Sequence, residues 1–116
     1  MLIQFCKSKI THATVTEAEL HYEGSITIDA TLLKAVGLIP GERVEVLNVN
    51  NGNRFDTYVI TGKAGSGVIC LNGPAARLGV AGDRVIILSY AYMTPEEAKA
   101  AKTQIIHVDA KNRIKK

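Results

Sequence analysis

A mainly β chain that closes into a small barrel with short helices is the fold class this sequence predicts, and three observations carry it. Stretches of alternating polar and apolar residues rich in β-branched types recur along the chain, most clearly over residues 3–15 and 54–60. Pairs with turn-forming chemistry, Pro40-Gly41 and Asn51-Gly52, separate such stretches. The run Gly37-Leu38-Ile39-Pro40-Gly41-Glu42-Arg43-Val44-Glu45-Val46-Leu47 is echoed, one residue shorter, by Gly79-Val80-Ala81-Gly82-Asp83-Arg84-Val85-Ile86-Ile87-Leu88. Each copy follows a short helical stretch and leads into a strand. Two such units predict a barrel with pseudo-twofold symmetry whose paired strands cross and leave no free edge. This is the pattern of a double-psi β-barrel.

Taken in order, residues 3–15 predict one long strand, 16–19 a turn, and 21–28 a second extended segment. Asp29 is placed to cap a helix over 30–36 that Gly37 ends, because glycine accepts the left-handed conformation at that position. Residues 43–49 predict a strand, and the Asn51-Gly52 pair a tight hairpin returning along 54–60. A loop over 62–67, a strand over 68–71 and a helical turn over 74–78 follow, then the most apolar strand, 84–92. Thr94-Pro95-Glu96-Glu97 combines an N-cap, a proline at the first helical position and a capping-box glutamate, predicting a helix over 95–101. Residues 104–108 predict a last strand.

At 116 residues the chain fits a single domain, 1–116, and 47% hydrophobic with 22% charged residues is the composition of a folded soluble protein. No apolar run has the length needed to span a bilayer, and the start lacks the pattern of a signal peptide, so the expected location is the cytoplasm, away from membranes. Cys6 and Cys70 are expected to be reduced and to serve packing, with no ligand cluster for a metal. Much of the +3 formal charge sits in Lys111, Arg113, Lys115 and Lys116, a solvated tail with no stacking platform, so no nucleic-acid partner is expected.

The chemistry is concentrated in His21-Tyr22-Glu23-Gly24-Ser25. Gly24 can hold backbone angles that strain other residues, and Ser25 puts a hydroxyl against the Gly24 carbonyl. Attack by that hydroxyl moves the acyl group from nitrogen to oxygen. β-Elimination of the ester leaves dehydroalanine, and hydrolysis leaves a pyruvoyl group capping the new chain. By itself Gly-Ser is an ordinary turn pair. Its company gives it meaning: HYEGS, then Asn51-Gly52-Asn53-Arg54-Phe55-Asp56-Thr57-Tyr58, then Leu71-Asn72-Gly73-Pro74-Ala75-Ala76, in an order and spacing that resemble the bacterial aspartate 1-decarboxylases.

That resemblance runs from Lys9 to about Glu97 and implies a pyruvoyl-dependent enzyme that makes β-alanine from L-aspartate for pantothenate synthesis. It implies a precursor cut into residues 1–24 and 25–116, a covalent pyruvoyl cofactor made from Ser25, and a homotetramer with active sites between subunits. It assigns Thr57 to the oxyanion of self-cleavage, Tyr58 to protonation after decarboxylation, and Lys9 and Arg54 to substrate carboxylates. Arginine suits that task because its planar fork binds a carboxylate through two hydrogen bonds. Asn72, Gly73, Pro74 and Ala75 match the loop that lines the substrate, while His21 and Tyr22 shape the precursor. Three positions depart from the family pattern: Pro74 for alanine, which removes an N–H donor, Thr11 for histidine, and Leu47 for an aromatic residue.

Strand alternation from Arg54 sets Asp56 and Tyr58 on one face and Phe55 and Thr57 on the other, unless a bulge intervenes. The family roles require both Thr57 and Tyr58, so this face assignment is a point for the structure to decide. Two alternatives remain open from the residues: a non-catalytic barrel used as a binding module, and the same chemistry on another acidic amino acid such as glutamate.

Overall fold

The alternation over the first fifteen residues becomes β1 (Ile3–Thr14) in the computed structural model, which describes residues 1–116. The chain continues through β2 (Glu17–Glu19), β3 (Ser25–Asp29), α1 (Ala30–Val36), β4 (Arg43–Asn48), β5 (Arg54–Gly62) and β6 (Ile69–Asn72). A 3-10 turn (Gly73–Arg77), β7 (Arg84–Met93), α2 (Pro95–Ala100) and β8 (Gln104–His107) complete it. The fold is mainly β with short helices, as the sequence predicts.

The strand order is β2-β6-β3-β5-β4-β7-β1-β8. β1 and β2 stand near opposite ends of that order yet are joined by only Val15 and Thr16, so the sheet curls and meets itself. Hydrogen bonds seal the seam: the Val15 and Thr16 amides donate to the Asp83 and Ile69 carbonyls at 2.9 and 2.8 Å. Closure consumes the edges that an open sheet would expose.

The echo in the sequence is a real twofold relation in the pairing. β3 pairs with β5 in parallel, and β6 pairs with β2 in parallel. Between them β3 lies antiparallel to β6, and β4 lies antiparallel to β7 with Val46 opposite Ile87, two matched positions of the echo. The second unit borrows its last strand from the start of the chain. Double-psi β-barrels have this interlocked arrangement. Inside it, Ile10, Ile26, Ile28, Val46, Ile69, Leu71 and Ile87 are among eighteen buried apolar residues that form one core. Each such side chain contributes roughly 1.5–3 kcal/mol through burial.

The caps form as expected. The Asp29 carboxylate accepts from the Thr31 amide at 2.8 Å, Gly37 takes φ 72°, and Thr94 with Glu97 makes both bonds of a capping box. Three expectations need correction. Residues 17–19, expected as a turn, form β2 because β6 offers its edge. Residues 21–24, expected to be extended, lie outside any strand, since β3 begins at Ser25. The Asn51-Gly52 hairpin is not a two-residue turn but a five-residue loop, held by the Asn48 side chain accepting from the Asn50 and Asn51 amides.

Candidate active site

Ser25 is the first residue of β3 and is completely buried, although it is a hydroxyl beside a loop. A buried hydroxyl without a partner costs on the order of 1–3 kcal/mol. Asn72 supplies the partner: its Nδ2 donates to Ser25 Oγ and to Thr27 Oγ1, each at 2.9 Å. The pairing of Ser25 with Asn72 across β3 and β6 sets this contact. Alternation does the rest, for Ile26, Ile28, Ile69 and Leu71 fill the core while Ser25, Thr27, Cys70 and Asn72 share the opposite face. On that face the Cys70 thiol donates to Asn72 Oδ1 at 3.2 Å. Burial pushes the Cys70 thiol up, with Glu17 and Glu19 adding to the shift, so it stays protonated.

The peptide before Ser25 is equally constrained. Gly24 has φ 120°, a region that side chains disfavour. Gly73, with φ 66°, presses against it: a Cβ at Gly73 would fall 2.4 Å from the Tyr22 carbonyl oxygen and 2.7 Å from the Gly24 nitrogen. A Cβ at Gly24 would meet the Pro74 ring at 3.5 Å. Thus Gly24, Ser25, Asn72, Gly73 and Pro74 meet at one corner of the barrel, and Ala75, in the same 3-10 turn as Gly73 and Pro74, is buried. The Pro74 ring occupies space here, so this departure from the family pattern adds a wall where it removes a donor.

Thr57 and Tyr58 come from the neighbouring strand. β5 pairs with β4 without a bulge from Arg54 to Tyr58, so the alternation stands and the two residues point to opposite faces. Ile26 pairs with Val59; carried back along β3, that register would set Ser25 level with Tyr58 and Gly24 level with Thr57. The half-buried Thr57 lies on the core side, and Tyr58 on the outer side, 45% exposed.

Arg54 and Lys9 are not brought to this corner within one chain. Arg54 lies four residues before Tyr58, about 13 Å along β5 at roughly 3.3 Å per residue. Its guanidinium pairs with Glu45 on β4 at 3.3 Å, on the side of β5 away from β3. Lys9 is farther in that direction, on β1, opposite Leu88, which in turn is opposite Glu45. These residues belong to the outer face of β4, β5, β7 and β1, where Gln4, Arg43, Glu45, Asp56, Tyr90 and Tyr92 line a cleft of about 520 Å³. Thr11, at the position where the family has histidine, hydrogen-bonds His107 Nδ1 at 2.8 Å.

Sequence reasoning missed Thr27, Cys70 and Glu45. The first two were accessible from alternation, being two residues from Ser25 and Asn72 respectively. Glu45 required the pairing of β4 with β5.

Residues 1–115 match the family model described as aspartate decarboxylase. The chain is 57% identical over 116 residues to the aspartate 1-decarboxylase of Caldicellulosiruptor saccharolyticus, covering all of this chain and 91% of that one. It is 61% identical over 109 residues to the aspartate 1-decarboxylase of Syntrophus aciditrophicus, covering 94% of each. With the enzyme of that name from Lactiplantibacillus plantarum it shares 56% identity over 116 residues, all of this chain and 89% of the relative.

Proposed function

The chain belongs to the aspartate decarboxylase family, and on that premise we propose that it cuts itself between Gly24 and Ser25 and decarboxylates L-aspartate to β-alanine and carbon dioxide. The β-alanine would serve pantothenate synthesis. The carrying observation is the buried Ser25 hydroxyl, bonded by Asn72 and preceded by a glycine at φ 120°. Nothing in the packing of the core needs a serine there.

The corner has room for the proposed pyruvoyl group: its ketone oxygen would stand where the Ser25 amide nitrogen was and its methyl group where Cβ was, while the Asn72 amide keeps Thr27 Oγ1 as an acceptor. When formed, that group supplies a carbonyl which reacts with the substrate amine and accepts the electrons released with carbon dioxide. The chain's own residues do the remaining work. Thr57, level with Gly24, would donate to the oxygen that becomes negative when Ser25 attacks. Tyr58, level with Ser25 on the outer face, would return a proton to the carbon that loses carbon dioxide. Gly73 keeps the backbone close, and Pro74 with Ala75 walls the site.

Arg54 and Lys9 would hold carboxylates, and their distance from Ser25 within one chain favours a site completed by a second copy. A homotetramer with shared active sites meets that need. Glu45 now occupies Arg54, and the substrate carboxylate would replace it. Intact-mass analysis of the purified protein, with an assay for β-alanine, tests the proposal. Two chains split after residue 24 and β-alanine from aspartate are expected; a protein that stays uncut and inactive through prolonged incubation would sink it.

A further inference from the structure

We propose that Cys70 is a positioning residue for self-cleavage: by donating its thiol proton to Asn72 Oδ1, it holds the Asn72 amide with Nδ2 toward Ser25 Oγ. This rests on the self-cutting reading above. An asparagine amide can turn over and exchange its oxygen and nitrogen with little change of shape, so something must select one orientation. Here both amide hydrogens have hydroxyl acceptors, Ser25 and Thr27, and the oxygen has one side-chain donor, Cys70, at 3.2 Å. Turned over, the amide would aim two N–H groups at sulfur, a weak acceptor, and leave the thiol proton without an oxygen. Asn72 and Cys70 are 5% and 7% exposed, so water does not make good the loss. The raised pKa of the thiol keeps it a donor across the physiological range.

The selected orientation matters most at one step. In the acyl shift, Ser25 Oγ bonds to the Gly24 carbonyl carbon, the C–N bond breaks, and the hydroxyl proton ends on the freed Ser25 nitrogen. In the elimination, a base takes the Ser25 Cα proton, the Cβ–Oγ bond breaks, and its electron pair stays on Oγ, now part of the Gly24 carboxylate. Dehydroalanine remains at position 25. An N–H on Oγ gains strength as that oxygen acquires charge, so the Asn72 donor acts chiefly on the second step.

The test follows freshly purified full-length precursor over time, with hydroxylamine added to aliquots to trap any ester as a Gly24 hydroxamate and a chain beginning with Ser25. Cys70→Ala is expected to cut about three- to tenfold more slowly than wild type, the range of one hydrogen bond, and to accumulate hydroxylamine-sensitive ester. Cys70→Ser, which restores a donor, should recover the rate; Cys70→Val, which fills the space without one, should not. Cys70→Ala cutting at the wild-type rate overturns the proposal, as does slow cutting that serine fails to rescue or that builds up no ester. Wild type that never cuts overturns the underlying reading as well, and so separates the two failures.

Discussion

The corner around Gly24 and Ser25 and the outer face around Arg54 and Glu45 are built on opposite principles. The corner is buried, held by left-handed glycines and neutral hydrogen bonds, and a single chain supplies all of it. The outer face is exposed and charged, its Arg54 already paired with a neighbouring carboxylate. A bond-breaking event inside the chain needs fixed geometry and little recognition, since its substrate is already in place. Capture of a metabolite with two carboxylates needs charge that can exchange partners. The two regions therefore divide the proposed work into making the site and using it.

Substitutions can break this division, beginning with the largest effect. Ser25→Ala should leave the protein folded but abolish both cutting and decarboxylation; two chains on a gel from that variant would end the account of the corner. Thr57→Val should slow cutting by about a hundredfold or more, since an oxyanion donor is worth about 3 to 4 kcal/mol. Unchanged cutting kinetics would remove Thr57 from that step. Tyr58→Phe should cut normally yet lose about a hundredfold in turnover, the order expected of a proton donor. If its cutting and its turnover fell together, the outer face would no longer be separate from the corner. Arg54→Lys should mature fully and lose roughly tenfold in kcat/KM for aspartate, about 1.4 kcal/mol, because lysine keeps the charge without the fork. Glutamate, one methylene longer, should react poorly even in wild type, and equal turnover of both amino acids would overturn the substrate assignment.

The smallest effect concerns the scaffold at the far end of β3 from Ser25, where Asp29 stands level with Gly62. Burial of Asp29 works to raise its pKa, but hydrogen bonds from the Gly67, Thr31 and Gly65 amides outweigh it and hold the carboxyl below its usual range. A depressed folded pKa contributes stability above the unfolded value of about 3.9, and that stability is lost as pH falls through the folded value. Asp29→Ala should cost about 1 to 2 kcal/mol in urea unfolding at pH 7. The difference from wild type should shrink below about pH 4.

Much of this was legible in the residues. The caps at Asp29, Gly37 and Thr94, the echo between the two halves, and the split of Thr57 from Tyr58 by alternation are local or periodic signals, and each reappears in the structure. What was hidden depends on contacts between distant segments. β2 exists because residues 17–19 meet β6, more than fifty positions away, and no local propensity of Glu-Ala-Glu announces a strand. The assignment of Cys70 to packing was incomplete partly for a similar reason. Its place beside Asn72 follows from alternation, but the link onward from Asn72 to Ser25 depends on the pairing of β3 with β6.

The seam where β1 runs into β2 has a consequence for the protein after cutting. Residues 1–24 contribute β1, which lies between β7 and β8, and β2, which lies along β6. A break after Gly24 would sever the backbone yet leave that segment laced into the wall, unable to depart unless the barrel opens. The matured subunit would then be a complex of two polypeptides, and its unfolding a dissociation. Its melting temperature would rise with protein concentration where that of the uncut subunit, taken alone, would not.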